Sequence, residues 1–458
     1  MTISEVLAEF IATAGPQSIG QREIDAAKAT ISDCLGCIII GSRTDCGRIV
    51  RRVTERSSAD GPSTVVGGRR ALSAQAAALI NGTAAHALDY DDILWTLYGH
   101  PSSTILSSAL AVAQMVGASG RDLVLAYAIG VELLGKLGRY VNPLHYEHGW
   151  HATASIGVIG AAAASAKLMG LNQAQIAMAL GNAASQACGV RRNFGTMTKP
   201  FHAGNAARGG VLAAELALEG FTSDLTTFEG DFGWAQTMNA RTVPDAKALQ
   251  ATLGKPWELT DPGIVLKRYP ACGGTHCGLD AMIAIKKQHQ IELSEIDKIV
   301  CDASPFAKKV LLYPRPKTGL EGKFSMEFSL AVAAIEGQAG LRHFEDKWVT
   351  DPRVLDLLPR ISFESRADLE PDFSADAVPA EVTVYARGTS FSHKVLVPSG
   401  DPRNPMTTAE RREKFLGCTH SILPDDEGNS LFDVMERLEQ LPNLDAVIKP
   451  LCQLGEQG

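Results

Sequence analysis

Two small-residue segments, ATASIGVIGAAAASAKLMG and then QIAMALGNAASQACG, leave this chain little choice of architecture. Helices lined with Ala and Gly can approach one another closely, so residues 152–188 are expected at the centre of a helical bundle. The next stretch, Val190 to Gly210 (VRRNFGTMTKPFHAGNAARGG), sets Arg191, Arg192, Lys199, His202 and Arg208 between apolar helices. Buried cations are costly unless something pairs with them. Taken singly, Arg191, Arg192 and Arg208 would be satisfied by acids such as Glu215 or Asp231. The cluster as a whole, with Lys199-Pro200 and the surrounding glycines, suits a small anionic ligand held by Arg forks and a Lys point charge.

Apolar positions recur at three and four residues through about 4–15, 22–40, 72–88, 103–117, 121–136, 152–168, 173–187 and 203–219. Gly and Pro breakers separate them, and the first 260 or so residues read as helical. The pattern changes near Ile264. KRYPACGGTHCGLDAMIAIKKQHQ gives a loop and a helix, DKIVCDASP a strand, KFSMEFSLAVAAIEGQ a helix, and PAEVTVYARGTSFSHKVLVPSG a hairpin about Gly388. The fold class expected is therefore mainly α. A large all-helical domain (residues 1–264 and 399–458) is formed by the N- and C-terminal segments, and a smaller α+β domain (residues 265–398) is inserted between them.

The 458-residue length exceeds one compact core. A net charge of −8 argues against a nucleic-acid partner. No run reaches the roughly 18 to 20 apolar residues that span a bilayer, so no membrane partner is expected. Nine scattered cysteines, an odd number, fit a reducing cytoplasm. Cys34 and Cys37 form a CxxC on a helical pattern, where core packing explains both. No second pair has zinc spacing, so no metal is expected.

Three further places carry possible chemistry. In HALDYDDILWTLYGHPSS, Asp89, Asp91 and Asp92 crowd together ahead of His100-Pro101 at a helix start. The spacing does not make a DDxxD diphosphate motif. Asp92 suits helix capping, while Asp91 and His100 are the site candidates. In NPLHYEHGWHATASIG, Pro143 and Gly149 break any helix that would align His145, His148 and His151. His151, just before a small-residue helix, suits a neutral imidazole acting as acid or base. Tyr146 is a hydroxyl donor beside it, and His145 and His148 are assigned to the surface. In LKRYPACGGTHCG, Lys267 and Arg268 precede a turn that opens a helix, an anion site in itself. Cys272 and His276 lie in that turn, Cys272 suiting a buried structural cysteine as well as a catalytic thiol.

Taken in order, NGTAAHALDYDD with HPSS, GWHATASIGVIGAAAA, MTKPFHAGNAARGG, LKRYPACGGTH, KFSMEFSLA and GDPRNPM…EKF resemble the MmgE/PrpD family across essentially the whole chain. The resemblance implies a homodimer, no metal or organic cofactor, and action on a small di- or tricarboxylate. Activities in the family include 2-methylcitrate dehydratase, cis-aconitate decarboxylase and iminodisuccinate epimerase. By matching motif, the family's aspartate falls on Asp89 or Asp91, its histidines on His100 and His151, and its lysines on Lys199 and Lys267. Where dehydratase and decarboxylase relatives carry a histidine five residues after the Lys267 position, this chain has Cys272. That departure directs the expectation to an isomerase that epimerises an iminodisuccinate-like substrate. A dehydratase or decarboxylase is the alternative, followed by a non-catalytic polycarboxylate binder.

Epimerisation removes a weakly acidic proton beside a carboxylate and returns it to the opposite face. Without a cofactor, preorganised cations must hold the extra negative charge. Lys199, Arg192 and Lys267 are the expected cations, with Arg191 and Asp91 also binding substrate. His151, helped by Tyr146, is the expected base on one face, with Lys199 or Cys272 opposite and His100 completing the catalytic set.

Overall fold

The structure, a computed structural model, describes residues 1–239, 245–369 and 377–454. It is mainly helical and holds two large hydrophobic cores. The first core draws on residues from Ile3 to Ile264 and again from Phe415 to Leu454. The second is built mostly from Tyr269 to Ala386, joined by Tyr146 and Phe194.

In the first core, α1 (Gln21–Gly41), α2 (Ala74–His86), α3 (Pro101–Val116), α4 (Gly120–Val141), α5 (Gly157–Leu168) and α6 (Thr198–Leu218) pack together. Helix α6 touches α2, α3 and α5, which makes it the axis of the bundle. Its contact with α2 is close enough to require glycine. A Cβ on Gly204 would lie 2.2 Å from the Leu79 carbonyl oxygen, and one on Gly82 2.8 Å from the Gly204 Cα. This approach carries Lys199, in the first turn of α6, to the turn that follows α2. The helix expected over 152–168 is broken: Ala152–Ser155 is a separate turn, and His151 is its N-cap.

The second core packs α7 (His276–His289) and α8 (Met326–Glu336) against a four-stranded sheet. Its strands are β1 (Ile296–Ala303), β2 (Ile361–Ser365), β3 (Ala380–Ala386) and β4 (Thr389–Val395), in spatial order β2-β1-β3-β4. Strand β1 pairs parallel with β2 and antiparallel with β3. The β3–β4 hairpin closes through Arg387 and Gly388, both at positive φ (54° and 67°), the two-residue turn whose twist matches its strands. Ala380, Val382, Val384 and Ala386 alternate inward along β3, as a sheet with one buried face demands.

Helix α9 (Thr408–Thr419) starts with a capping box on Thr407 and Glu410 and lies against α1. Among the described residues no helix is long and apolar enough to cross a membrane.

Candidate active site

The two cores meet at a cleft that encloses about 510 Å³ of non-atom space, part of it open to solvent. Asp89, His100, His151 and Lys199 line it from the bundle side; Lys267, Cys272, Gly273, Phe306 and Phe324 line it from the other, with Tyr146 and Phe194 between.

Three chain segments converge on one carboxylate oxygen. Lys199 Nζ and Lys267 Nζ each donate to Asp89 Oδ1 at 2.8 Å, and Lys267 also donates to the Asp89 carbonyl at 2.8 Å. All three side chains are buried. Asp89 sits in the left-handed region at φ 52°, a conformation that Asp tolerates better than most residues. Burial pushes the Asp89 carboxyl up, but Lys199 and Lys267 outweigh it and hold the group well below the usual carboxylate range. One carboxylate between two ammonium groups leaves the centre a net cation, while Asp89 Oδ2 is buried with no hydrogen-bond partner. A carboxylate ligand would balance the net positive charge, while Asp89 Oδ2, an acceptor, calls for a donor on the ligand.

The histidines form a second layer. His100 Nδ1 lies 2.8 Å from the Asp92 carbonyl, which can only accept, so Nδ1 carries the hydrogen and a neutral ring turns Nε2 toward Asp89 Oδ1, 3.5 Å away. His86, the last residue of α2, places Nδ1 2.9 Å from both Asp91 oxygens. His151 Nδ1 lies 3.1 Å from His202 Nδ1, and His151 Nε2 is buried without a partner. The rings of His100 and His151 both pack on His86, with centroids 4.4 and 5.7 Å away, so both come from one wall. Burial, joined by the charge of Lys199, holds His151 neutral well below the usual imidazole range; burial lowers His86 and His100 as well.

The second core contributes proton donors. Burial raises the Cys272 thiol, and Asp89 adds to the rise. The Tyr146 hydroxyl is pushed up by burial despite Arg191. Both therefore stay protonated at neutral pH. Phe194, Phe306, Phe324, Ile93, Trp95 and Val310 supply an apolar lining.

The structure thus brings together His100, His151, Lys199, Lys267, Tyr146 and Cys272. Three expected ligand residues lie elsewhere. Asp91 is fully buried behind the cleft on His86, with its carboxyl held low against burial chiefly by His86 and His100; Asp89 is the acid that lines the site. Arg191 does not line the cleft. Its guanidinium lies 3.6 Å above the Tyr146 ring and donates to the Tyr146 carbonyl at 2.7 Å, so it props that tyrosine. Arg192 is exposed, because the short turn at Arg191–Asn193 points it outward. His145 is not a surface residue: it is buried, with Nε2 2.6 Å from Ser155 Oγ and Nδ1 3.1 Å from the Met238 carbonyl. His148 is exposed. Asp92 serves the start of α3 by accepting from the Ser102 amide at 3.3 Å.

Lys323 was not singled out by the sequence. It is buried and donates to the carbonyls of Leu88 (2.7 Å) and Pro270 (2.8 Å), joining the turn before Asp89 to the loop after Lys267. Burial, reinforced by Lys267 and Lys199 against the pull of Asp89, lowers it to about 7. Its place in KFSMEFSLA was the available signal. His86 could have been found from its spacing to Asp91 across a helix end.

His86, Asp89, Asp91 and His100 also present donor atoms within 4.8 Å of one another, close enough to suit a metal ion. Here, however, Asp89 Oδ1 already receives two ammonium groups, and the Nδ1 atoms of His86 and His100 face acceptors on Asp91 and Asp92. A divalent ion would have to enter beside two fixed positive charges, so the donor set fits an ion-pair network better than a metal site.

Several known proteins are similar to this chain over most of its length. The human (Homo sapiens) cis-aconitate decarboxylase is 28% identical over 435 residues, covering 92% of this chain and 88% of that protein. The Mus musculus cis-aconitate decarboxylase is 28% identical over 443 residues, covering 93% and 89%. A cis-aconitate decarboxylase of Aspergillus terreus is 26% identical over 457 residues, covering 94% and 91%. None of these names an epimerase. The MmgE/PrpD N-terminal domain matches residues 5–246 and the MmgE/PrpD C-terminal domain residues 269–440, so the chain belongs to the MmgE/PrpD family.

Proposed function

We propose that this protein is a lyase that decarboxylates a small unsaturated tricarboxylate of the cis-aconitate type, using only its own side chains. The observation that carries this reading is the distribution of acids and bases around the cleft. Epimerisation needs a base on one face of the reacting carbon and a proton donor on the other, and the donor must itself act as base when the reaction runs in reverse. His100 and His151 lie on one wall, against His86, while Cys272 and Tyr146, packed with the second core, are held protonated. The neutral imidazoles, able to give or take a proton, therefore stand on one side. The protonated thiol and phenol on the other are poor bases for the reverse step of an epimerisation, which decarboxylation does not need.

Decarboxylation makes a different demand. The substrate's retained carboxylates dock on Lys199 and Lys267. The departing carboxylate lies against the apolar lining, where loss of its charge as carbon dioxide is favoured over its retention. The electron pair left behind is spread through the adjoining alkene and carboxylate, whose oxygens the two ammonium groups stabilise as charge grows on them. A proton from His151 Nε2 then closes the new C–H bond. The Cys272 and Tyr146 hydrogens orient the substrate. Cys272 replaces a histidine without removing a proton donor, which answers the sequence-based preference for an epimerase. The cis-aconitate decarboxylase activity of the relatives supports the same reading.

The test is a panel of three substrates with the purified protein. Carbon dioxide release from cis-aconitate is the expected activity. Formation of an absorbing alkene from 2-methylcitrate, or inversion of iminodisuccinate without gas release, would replace the reading by a dehydratase or an epimerase.

A further inference from the structure

The mechanism uses His151 as proton donor but leaves its other nitrogen, and the residue facing it, without a task. His202 lies one turn beyond Lys199 on α6, with its Nδ1 3.1 Å from His151 Nδ1. Both rings are buried, at 1% exposure for His151 and 7% for His202. A Cβ on Gly189 would come 3.4 Å from the His202 ring, so the backbone there closes over the pair.

Two facing nitrogens at this distance, on two neutral rings, need one hydrogen between them: two lone pairs repel, and so do two N–H groups. The tautomers are therefore linked. If His202 carries the Nδ1 hydrogen, His151 Nδ1 accepts it and the His151 hydrogen resides on Nε2, the unpartnered nitrogen of a ring that lines the cleft. If His151 carries the Nδ1 hydrogen, its Nε2 is a bare base.

Resting on the decarboxylase reading, in which His151 must donate, we infer that His202 is a positioning residue and proton relay behind His151. It keeps the His151 hydrogen on Nε2 before the reaction and resupplies it afterwards. In the transfer, the His151 Nε2–H bond breaks as the substrate C–H bond forms. The His202 Nδ1 hydrogen moves to His151 Nδ1, and His202 Nε2 takes one proton from solvent. Both rings end neutral with their tautomers exchanged, and the net change is one solvent proton consumed for each carbon dioxide lost. Rotation or reverse exchange through solvent resets the pair. The charged and titratable groups facing the two rings are Lys199, His86 and His100; burial, with help from His86 and Lys199, lowers His202 to about 4, so the pair is neutral at pH 7.

Two variants and one measurement on the resting protein test this. His202→Asn retains a hydrogen-bonding amide beside His151 but passes no proton, and His202→Ala opens space for added imidazole. For both, kcat should fall on the order of 100-fold, with KM within about 2-fold. Imidazole should restore turnover to His202→Ala and not to His202→Asn. A kcat within about 2-fold of the unaltered protein in both variants, or a loss that imidazole leaves untouched in His202→Ala, overturns the relay. Nitrogen-15 NMR of the resting protein requires no turnover, and so separates this proposal from the choice of reaction. Opposite tautomers on His151 and His202 are expected. Hydrogen on Nε2 of both rings would overturn the relay even if carbon dioxide is released.

Discussion

Replacing Asp89 by Asn removes one charge and almost nothing else. Asn has the same shape, tolerates the left-handed backbone at φ 52° and keeps an acceptor oxygen for the lysines. What is lost is, among the described residues, the only carboxylate within hydrogen-bond reach of Lys199 and Lys267, both 2.8 Å from the same oxygen and both buried. Breaking a buried ion pair from one side costs about 3–5 kcal/mol, because the partner charge stays behind uncompensated. Here two such charges stay behind, so the upper part of that range applies. For a chain of 458 residues, whose unfolding entropy is about 1 kcal/mol/K, a cost of that size corresponds to a fall in Tm of about 5 °C. A bound tricarboxylate supplies the missing negative charge, so the variant should gain more from ligand than the unaltered protein does. Thermal denaturation with and without a saturating tricarboxylate measures both effects. A variant that melts at the native temperature, or that gains no more from the ligand, would refute the claim that the two lysines depend on Asp89 and offer themselves to carboxylates.

Other expectations follow from the same geometry. His86, His100 and His151 are fully buried with pKa values lowered below the unfolded value, so the unfolded chain takes up protons that the folded one refuses. Their contribution is intact above pH ~6.5 and lost as pH falls below it, by about 1 kcal/mol each between pH 7.5 and 5.5 for His100 and His151, which lie well below the usual range; denaturant midpoints that rise toward pH 5.5 would contradict this. Cys272 is protonated at pH 7, and alkylation follows the thiolate. Iodoacetamide should therefore modify it more slowly than a free thiol at pH 7 and faster only at alkaline pH, and rapid neutral modification that substrate blocks would show an activated nucleophile instead. Arg191→Ala should raise KM several-fold by freeing Tyr146, whereas Arg192→Ala should leave KM within about 2-fold; equal effects in steady-state kinetics would place Arg192 in the cleft.

Much of this site was legible because its chemistry sits in short motifs. Lys199 and His100 each stand next to a Pro, and His151 and Lys267 lie within three residues of a Gly or Pro, near the start of a helix or turn, and the structure brings all four to one cleft. Direction was not legible. Asp89 and Asp91 are two residues apart, and the positive φ of Asp89 decides which one meets the lysines. Arg191 and Arg192 are adjacent cations in a basic segment, yet one stacks on Tyr146 and the other faces solvent. No periodicity encodes that difference. The same limit applies in the fold: Ala152–Ser155 separates from α5 although the small-residue pattern runs on without interruption. The short parallel strand Ile361–Ser365, held in place by β1, was not legible either.

The central claim is that fixed cations hold a substrate carbanion created by loss of a carboxylate, not of a proton. Turnover of cis-aconitate in heavy water measures it directly, with carbon dioxide and deuterium counted in the same sample and Lys199→Ala as the inactive control. One carbon dioxide released for each deuterium fixed in a carbon-bound position of the product is the result expected. Deuterium entering the tricarboxylate while all of its carboxylates are retained would contradict it.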